Sequence, residues 1–229
     1  GDFRLIVLAP ASVQEMHDFV ALGFDLAFKY RNPAMILADG AIGQMMEKVV
    51  LAPQRPRKTN EEIAAECRDW ATYGKPADRP RNVVTSLELQ SEAMEKINLR
   101  LQAKYKAMEE NEVRYEALAC DDADYVIVAF GSSARICSAT VEMARAEGIR
   151  LGMLRPITLY PFPKKQLAEM AARGVKGFLS AELNAGQMVE DVMLASRFRV
   201  PVRHYGRTGG VVHSPGEVYD ALKSNFSLQ

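Results

Sequence analysis

From Asp124 onward the chain alternates short apolar runs with longer amphipathic stretches, and that alternation leaves few folds open. The apolar runs are Tyr125–Phe130, Ile149–Arg155, Gly177–Leu183 and Val200–His204. Gly131-Ser132-Ser133 opens a helical stretch that stops at Glu147-Gly148, and Pro161-Phe162-Pro163 opens another that stops at Gly174. Asn184 and Gln187 cap a third, running to Arg197. Ser214-Pro215-Gly216-Glu217 starts the last, with proline at its first position, where a missing N–H leaves no bond unmade. Strands alternating with helices of about 10–15 residues form βαβ units, whose crossovers make the strands parallel. The expected fold class is α/β, a doubly wound, Rossmann-like parallel sheet.

The first fifty residues carry a separate strand–helix–strand signal. Arg4–Pro10 and Ala34–Ala38 are continuous apolar runs, as in strands covered on both faces. Between them Ser12-Val13-Gln14-Glu15 reads as a capping box, with Glu15 reaching back to the N–H of Ser12. Val13, Met16, Val20, Phe24 and Ala27 mark one helical stripe, widened by Phe19, Leu22 and Leu26, so a heavily buried helix is expected. Asn32-Pro33 ends it. A lone β-α-β piece makes too small a core to stand by itself. Either the rest of the chain completes its sheet or the chain begins inside a domain; the second is the expectation.

The stretch from Leu51 to about residue 85 holds Pro53, Pro56, Pro76 and Pro80 among many charges and reads as a surface linker. It has room for a short helix near Glu61–Trp70, with Trp70 and Tyr73 as anchors. Thr85-Ser86-Leu87-Glu88 reads as a second capping box, starting a long helix to about Ala119 with Met94, Ile97, Leu101, Tyr105 and Met108 along one stripe. The expected domains are 1–50, a 51–85 linker, and 86–229.

Lys plus Arg equals Asp plus Glu at 29 each, so the chain lacks the electrostatic footprint of a nucleic-acid or anionic-membrane binder. Its best basic run, Arg55–Lys58, is followed at once by Glu61 and Glu62. The three cysteines, Cys67, Cys120 and Cys137, have no C-x-x-C spacing and cannot supply four thiolates to an iron–sulfur cluster. They read as buried small apolar residues. With no signal peptide and no membrane-length apolar run, the expected compartment is the cytoplasm.

In parallel sheets ligands gather beyond the carboxyl ends of the strands. Gly131, Ser132 and Ser133 sit there at a helix start, with backbone N–H groups and hydroxyls suited to an anion or to a plain N-cap. Arg155 follows a strand and can hold an anion or a structural carboxylate, with Glu182 as the candidate partner. Asn184, Gly186 and Gln187 form a third turn, a capped helix start or an interface. Asp39–Met46, with two glycines and two methionines, reads as a loop laid against another surface. His17, His204 and His213 show no metal spacing. No catalytic or metal-ligating set emerges. On these residues alone, a non-catalytic nucleotide- or anion-binding α/β domain remains open.

The runs RLIVLAPASVQEMHDFVALGFDLAFKYRNPAMILADGAIGQMME, VAFGSSARIC, GMLRPITLYPFP, SAELNAGQMVEDV and YGRTGGVVHSPGEVYDAL, in this order, resemble the α subunit of 2-oxoacid:ferredoxin oxidoreductases. The resemblance is strongest to the branched-chain (2-oxoisovalerate) type, with the 2-oxoglutarate type close. It implies an oxidoreductase of the EC 1.2.7 kind, turning a 2-oxoacid into acyl-CoA while reducing ferredoxin. It also implies that residues 1–50 end a pyrimidine-side thiamine domain and that the last domain is like the transketolase C-terminal domain. The implied cofactors are thiamine diphosphate with Mg in the intact complex, coenzyme A as co-substrate, and iron–sulfur clusters on other subunits. The implied partners are β and γ/δ-type subunits, and ferredoxin through the complex, in a homo- or hetero-oligomer. The G-D-G…N diphosphate motif is absent, so carry-over is confined to the turns named above as scaffold, anion or interface positions. A C-terminal module of a transketolase or E1-type thiamine enzyme is the alternative.

Overall fold

A computed structural model describes residues 3–72 and 74–228 of the chain; Tyr73, one expected anchor, lies outside the described residues. In order, the elements are β1 (Ile6–Leu8), α1 (Val13–Tyr30), β2 (Ala34–Ile36), α2 (Gly40–Gln44), α3 (Asn60–Glu66), α4 (Ser91–Asn111), β3 (Tyr115–Leu118) and β4 (Tyr125–Val128). They continue with α5 (Gly131–Ala146), β5 (Leu151–Pro156), β6 (Thr158–Tyr160), α6 (Lys164–Arg173), β7 (Gly177–Glu182), α7 (Met188–Ala195), β8 (Val202–Gly206) and α8 (Pro215–Phe226). Two compact units form: Gly1–Val50 together with Tyr105–Gln229, and Leu51–Lys104.

The first unit carries both sheets. The larger has strand order β3-β5-β4-β7-β8. Its β4, β5, β7 and β8 are parallel, as the alternation predicts, with Val126 opposite Phe178 and Phe178 opposite Val202. Side chains along a strand alternate between faces, so β4 sends Val126 and Val128 one way and Ile127 the other. Val126, Val128, Leu154 and Phe178 pack with Leu167 of α6 and Val192 of α7. Ile127, Leu151 and Leu179 pack with Val141 of α5 and Leu222 of α8. Helices therefore cover both faces, and each fully buried Leu, Ile, Val or Phe contributes roughly 1.5–3 kcal/mol of apolar burial. Cys67, Cys120 and Cys137 are free and buried, as expected from their spacing.

Four sequence expectations change. The sheet is mixed, because β3 joins β5 antiparallel, Tyr115 opposite Pro156. Residues 115–118 thus belong to a strand where a helix to Ala119 is expected; the helical pattern ends at Asn111, and the buried Glu112 ties the chain down there. Second, α4 begins at Ser91, not at Thr85: the Thr85 hydroxyl accepts from Leu87 N–H and the Glu88 carboxylate from Gln90 N–H, local turns that use the same residue types as a helix cap. Third, α1 buries Phe19, Gly23 and Leu26, whereas Val20, Phe24 and Phe28 are exposed, so the widening residues and not the first stripe face the core. Fourth, β2 is an edge strand with Met35 and Leu37 exposed, not a strand covered on both faces.

The β1–α1–β2 piece gains its third strand from far along the chain. The smaller sheet has order β2-β1-β6, with β1 parallel to β2 and antiparallel to β6. Ile6, Leu8, Phe19 and Leu26 pack there with Met108. In the second unit, α3 is closed by a full capping box between Thr59 and Glu62, which places the expected short helix at Asn60–Glu66.

Candidate functional site

The carboxyl ends of β2, β4 and β7 converge on one cleft of about 220 Å³. Asp39, Gly131, Ser133, Glu182, Asn184 and Gln187 line it, so three turns picked out in the sequence meet in space. Arg155 is not part of that lining.

Asp39 is the hub of one wall. It N-caps α2, its Oδ1 accepting from the N–H groups of Ala41 and Ile42 at 3.0 Å each. Its Oδ2 accepts from Ser132 N–H at 2.8 Å, and its Oδ1 from the Ser132 hydroxyl at 2.8 Å. Burial pushes this carboxyl up, but the N–H groups of Ile42 and Ser132, the Ser132 hydroxyl and Ala41 N–H outweigh it and hold the group below the usual aspartate value. Gly131 makes the approach possible: its φ is +60°, and a Cβ there would stand 2.9 Å from Asp39 Oδ2. The anion suited to this helix start is therefore the chain's own carboxylate.

Glu182 does the same at α7. Its side chain is buried, and its Oε2 accepts from the N–H groups of Gln187 (3.1 Å) and Met188 (2.9 Å). Its Oε1 accepts from Val189 N–H at 2.9 Å and the Ser180 hydroxyl at 2.8 Å. Asn184 and Gln187 were expected to cap α7, and that expectation fails: Gln187 makes no side-chain cap, and Asn184 Oδ1 instead accepts from Gly186 N–H at 2.8 Å, closing a local turn. Gly206 of β8 runs so close to this turn that a Cβ would sit 2.2 Å from Asn184 O.

Ser133 lines the cleft, but its hydroxyl is committed to buried partners. Its hydroxyl donates to Ala181 O at 2.7 Å and stands 3.0 Å from His213 Nε2. With the hydroxyl proton spent on Ala181, the tautomer assigned by these partners has Nε2 as donor and Nδ1 bare. His213 is only 2% exposed, and its Nδ1 has no hydrogen-bond partner among the described residues. Burial lowers its pKa below 6.5, with Glu217 opposing. A histidine held neutral, donating to a serine already committed to a carbonyl, leaves no activated nucleophile.

Arg155 pairs with Glu15, not Glu182. Its Nη1 and Nη2 reach Glu15 Oε2 and Oε1 at 2.8 and 2.6 Å, a bidentate fork, and Nε forms an ion pair with Glu116 at 3.0 Å. Glu15 also accepts from Ala11 N–H at 2.7 Å, so the Ser12 box is half formed: Ser12 Oγ accepts from Glu15 N–H, while the carboxylate turns to Arg155.

Two carboxylates and no Lys, Arg or His line the cleft. With two carboxylates on its wall, no cation among its lining residues, and the Ser132 and Gln187 N–H groups already turned to Asp39 and Glu182, the cleft does not fit a diphosphate. Among the described residues no group of three or more His, Cys, Asp or Glu is placed to hold a metal ion. Nor, among them, is any helix long and apolar enough to cross a membrane. The Asp39 N-cap was readable from an Asp ahead of Gly40-Ala41-Ile42. Its reach to Ser132, and that of Arg155 to Glu15, span 93 and 140 residues and leave no local signal.

Residues 1–116 match the family model described as pyruvate flavodoxin/ferredoxin oxidoreductase, thiamine diphosphate-binding, and residues 123–218 that of pyruvate:ferredoxin oxidoreductase core domain II. The ketoisovalerate oxidoreductase subunit VorB of Methanothermobacter marburgensis is 46% identical over 210 residues, 92% of this chain and 57% of its own length. The VorB of Methanothermobacter thermautotrophicus is 46% identical over 225 residues, 97% of this chain and 61% of its own. The 2-oxoglutarate synthase subunit KorA of Methanothermobacter marburgensis is 32% identical over 241 residues. The chain thus spans little more than half the length of the VorB relatives. Among solved structures, the 2-oxoglutarate:ferredoxin oxidoreductase from Magnetococcus marinus, with 2-oxoglutarate, coenzyme A and succinyl-CoA bound, superposes with a TM-score of 0.72. At 20% identity it covers all of this chain and 43% of that one, a likeness of fold. With two adjoining models matched in order and close relatives bearing the same subunit type, the chain belongs to the α-type subunits of the 2-oxoacid:ferredoxin oxidoreductase family.

Proposed function

We propose that this chain is part of the α-type subunit of an enzyme that oxidatively decarboxylates 2-oxoisovalerate to an acyl-CoA and reduces ferredoxin. The observation that carries the substrate choice is identity: 46% with the ketoisovalerate subunit against 32% with the 2-oxoglutarate one. In this reading residues 1–50 end a pyrimidine-side thiamine domain, 51–85 link, and 86–229 form the second domain. The partners are β and γ/δ-type subunits, iron–sulfur clusters lie on other subunits, coenzyme A is co-substrate, and the assembly works in the cytoplasm. Three buried, unpaired cysteines agree with a reducing compartment.

Thiamine diphosphate with Mg supplies the carbanion chemistry when bound in the complex. The residues of this chain hold position. Gly131, Ser132, Asn184, Gly186 and Gln187 set the ends of two helices against Asp39 and Glu182, and Arg155 fastens α1 to β5. That assignment rests on the internal carboxylates of Asp39 and Glu182, which accept from Ala41, Ile42 and Ser132 and from Gln187, Met188 and Val189 N–H.

The test is to purify the full-length subunit with its partner subunits and follow viologen reduction with coenzyme A. The expected result is turnover of 2-oxoisovalerate with kcat/KM at least about tenfold above 2-oxoglutarate and pyruvate, within the range that apolar side-chain pockets achieve. A preference for 2-oxoglutarate overturns the substrate choice, and no 2-oxoacid-dependent reduction by the assembled complex overturns the whole reading.

A further inference from the structure

A second concavity, of about 690 Å³, runs between α6 and α7 and shares no lining residue with the cleft. Its lining includes Ala168 and Ala172 of α6 and Ala195 of α7, so small side chains leave the space between the helices open. Four cations border it: Lys164 and Lys165 at the start of α6, Arg197 and Arg199 just after α7. Glu169 and Asp191 in the lining and Glu109 beside Lys164 oppose them, an excess of one positive charge in a chain whose net charge is zero.

The cations are weakly committed. Lys164 stands 3.6 Å from Glu109, and Lys165 stands 3.9 Å from Glu169 one helical turn on, both between exposed side chains. For Arg197 and Arg199, which are exposed, the described residues provide no ion pair and no side-chain hydrogen bond. The backbone adds a second observation. Arg197 and Phe198 are consecutive non-glycine residues at φ of +55° and +54°, a left-handed pair that side chains disfavour. The turn they make leaves Phe198 70% exposed, outside the groove lining but between two arginines that line it; Leu194, also in the lining, is 63% exposed. An exposed aromatic flanked by arginines has the composition of an interface anchor.

We propose that this groove receives an acidic amphipathic helix of a partner protein. Its apolar stripe lies along Ala168, Ala172 and Leu194, and its carboxylates meet Arg197 and Arg199. A groove between two neighbouring helices of one layer suits a third helix, and the charge excess selects an acidic one. A flat anionic bilayer would touch only the rims. This inference stands on the groove alone and does not depend on the substrate assigned above.

The test places the photo-crosslinker p-benzoylphenylalanine at position 198 of the full-length subunit, expressed in its own host with its partner subunits. Cross-linked peptides are then sequenced by mass spectrometry. The expected product is one peptide with carboxylates at helical spacing, whose yield falls about tenfold with Arg197→Glu/Arg199→Glu and recovers when two of its carboxylates become arginines. Lys164→Glu/Lys165→Glu, at the other end of the groove, should lower the yield in the same direction. Circular dichroism separates either effect from misfolding. A peptide without an acidic face, a yield indifferent to both charge reversals, a cross-link to a second copy of this chain, or no protein cross-link overturns the proposal. Charge-dependent sedimentation with phosphatidylglycerol vesicles in place of a cross-link makes the groove a lipid-facing surface and overturns it too.

Discussion

His213 shows how a single side chain here is held by burial and not by charge. It donates to Ser133, sits against the Tyr205 ring at 5.9 Å, and leaves Nδ1 bare in the interior. Its folded pKa lies below 6.5, so below pH 6.5 the unfolded chain binds a proton that the folded chain does not. Stability from this residue is complete above 6.5 and is lost as pH falls toward the folded value. Thermal midpoints taken from about pH 7.5 to about 5.5 should fall more steeply for the wild type than for His213→Gln, because only the wild type titrates there at this position. Parallel pH slopes would sink the idea. The sequence showed His213 beside a glycine-rich turn and nothing more, since its partners Ser133 and Tyr205 come from other elements. Local caps were a different matter: Ser214 with Glu217 forms the full box that the pattern S-P-G-E announces.

At the scale of elements, the fork between Glu15 and Arg155 decides how α1 sits on β5. Burial raises the Glu15 pKa, but the Arg155 guanidinium and the Ala11 N–H outweigh it, so the carboxyl stays below its ordinary 4.5. With the folded pKa depressed, the stabilisation is present above 4.5 and is lost as pH falls through the lower folded value. Arg155 is 4% exposed and the Glu15 side chain 23%, so removing one partner strands a poorly hydrated charge. Arg155→Met should cost about 2 kcal/mol in urea unfolding, discounted from the fully buried case because Glu15 is partly wet. Arg155→Met with Glu15→Leu should cost clearly less than the sum of the two singles, a coupling of about 1 kcal/mol or more. Additive costs would mean the fork holds nothing. The helix itself was legible from Ser12 and Asn32-Pro33, but its inward face was not. Two apolar stripes run along α1, and its packing on Ile6, Leu8 and Met108 selects Phe19 and Leu26 over Val20 and Phe24.

Across the whole molecule, the alternation from Asp124 onward was enough to read four parallel strands between two helical layers, because buried parallel strands and their crossovers leave a periodic imprint. The join that makes one unit of residues 1–50 and 105–229 left no such imprint. It runs through β6, three residues long, whose pairing with β1 is set by the path of the chain after Pro156 and not by composition. The Leu51–Lys104 unit differs in kind: Cys67 is the one buried residue among those described in it. With so little apolar surface withdrawn from water, its local opening free energy should lie far below that of the β4–β7 core. Trypsin gives a direct measure. Arg55, Lys75 and Arg79 each precede proline and resist cleavage, which leaves Arg57, Lys58, Arg68 and Arg81 as exposed sites outside regular helix and strand in this unit. Cuts under native conditions at those positions should come at least about tenfold faster than cuts at Arg135 or Arg145 in α5 or at Arg203 in β8, where cleavage must wait for the sheet unit to open. Mass spectrometry of the earliest fragments decides it, and a first cut at Arg145 in α5 or Arg203 in β8 would place the weak point inside the sheet unit instead.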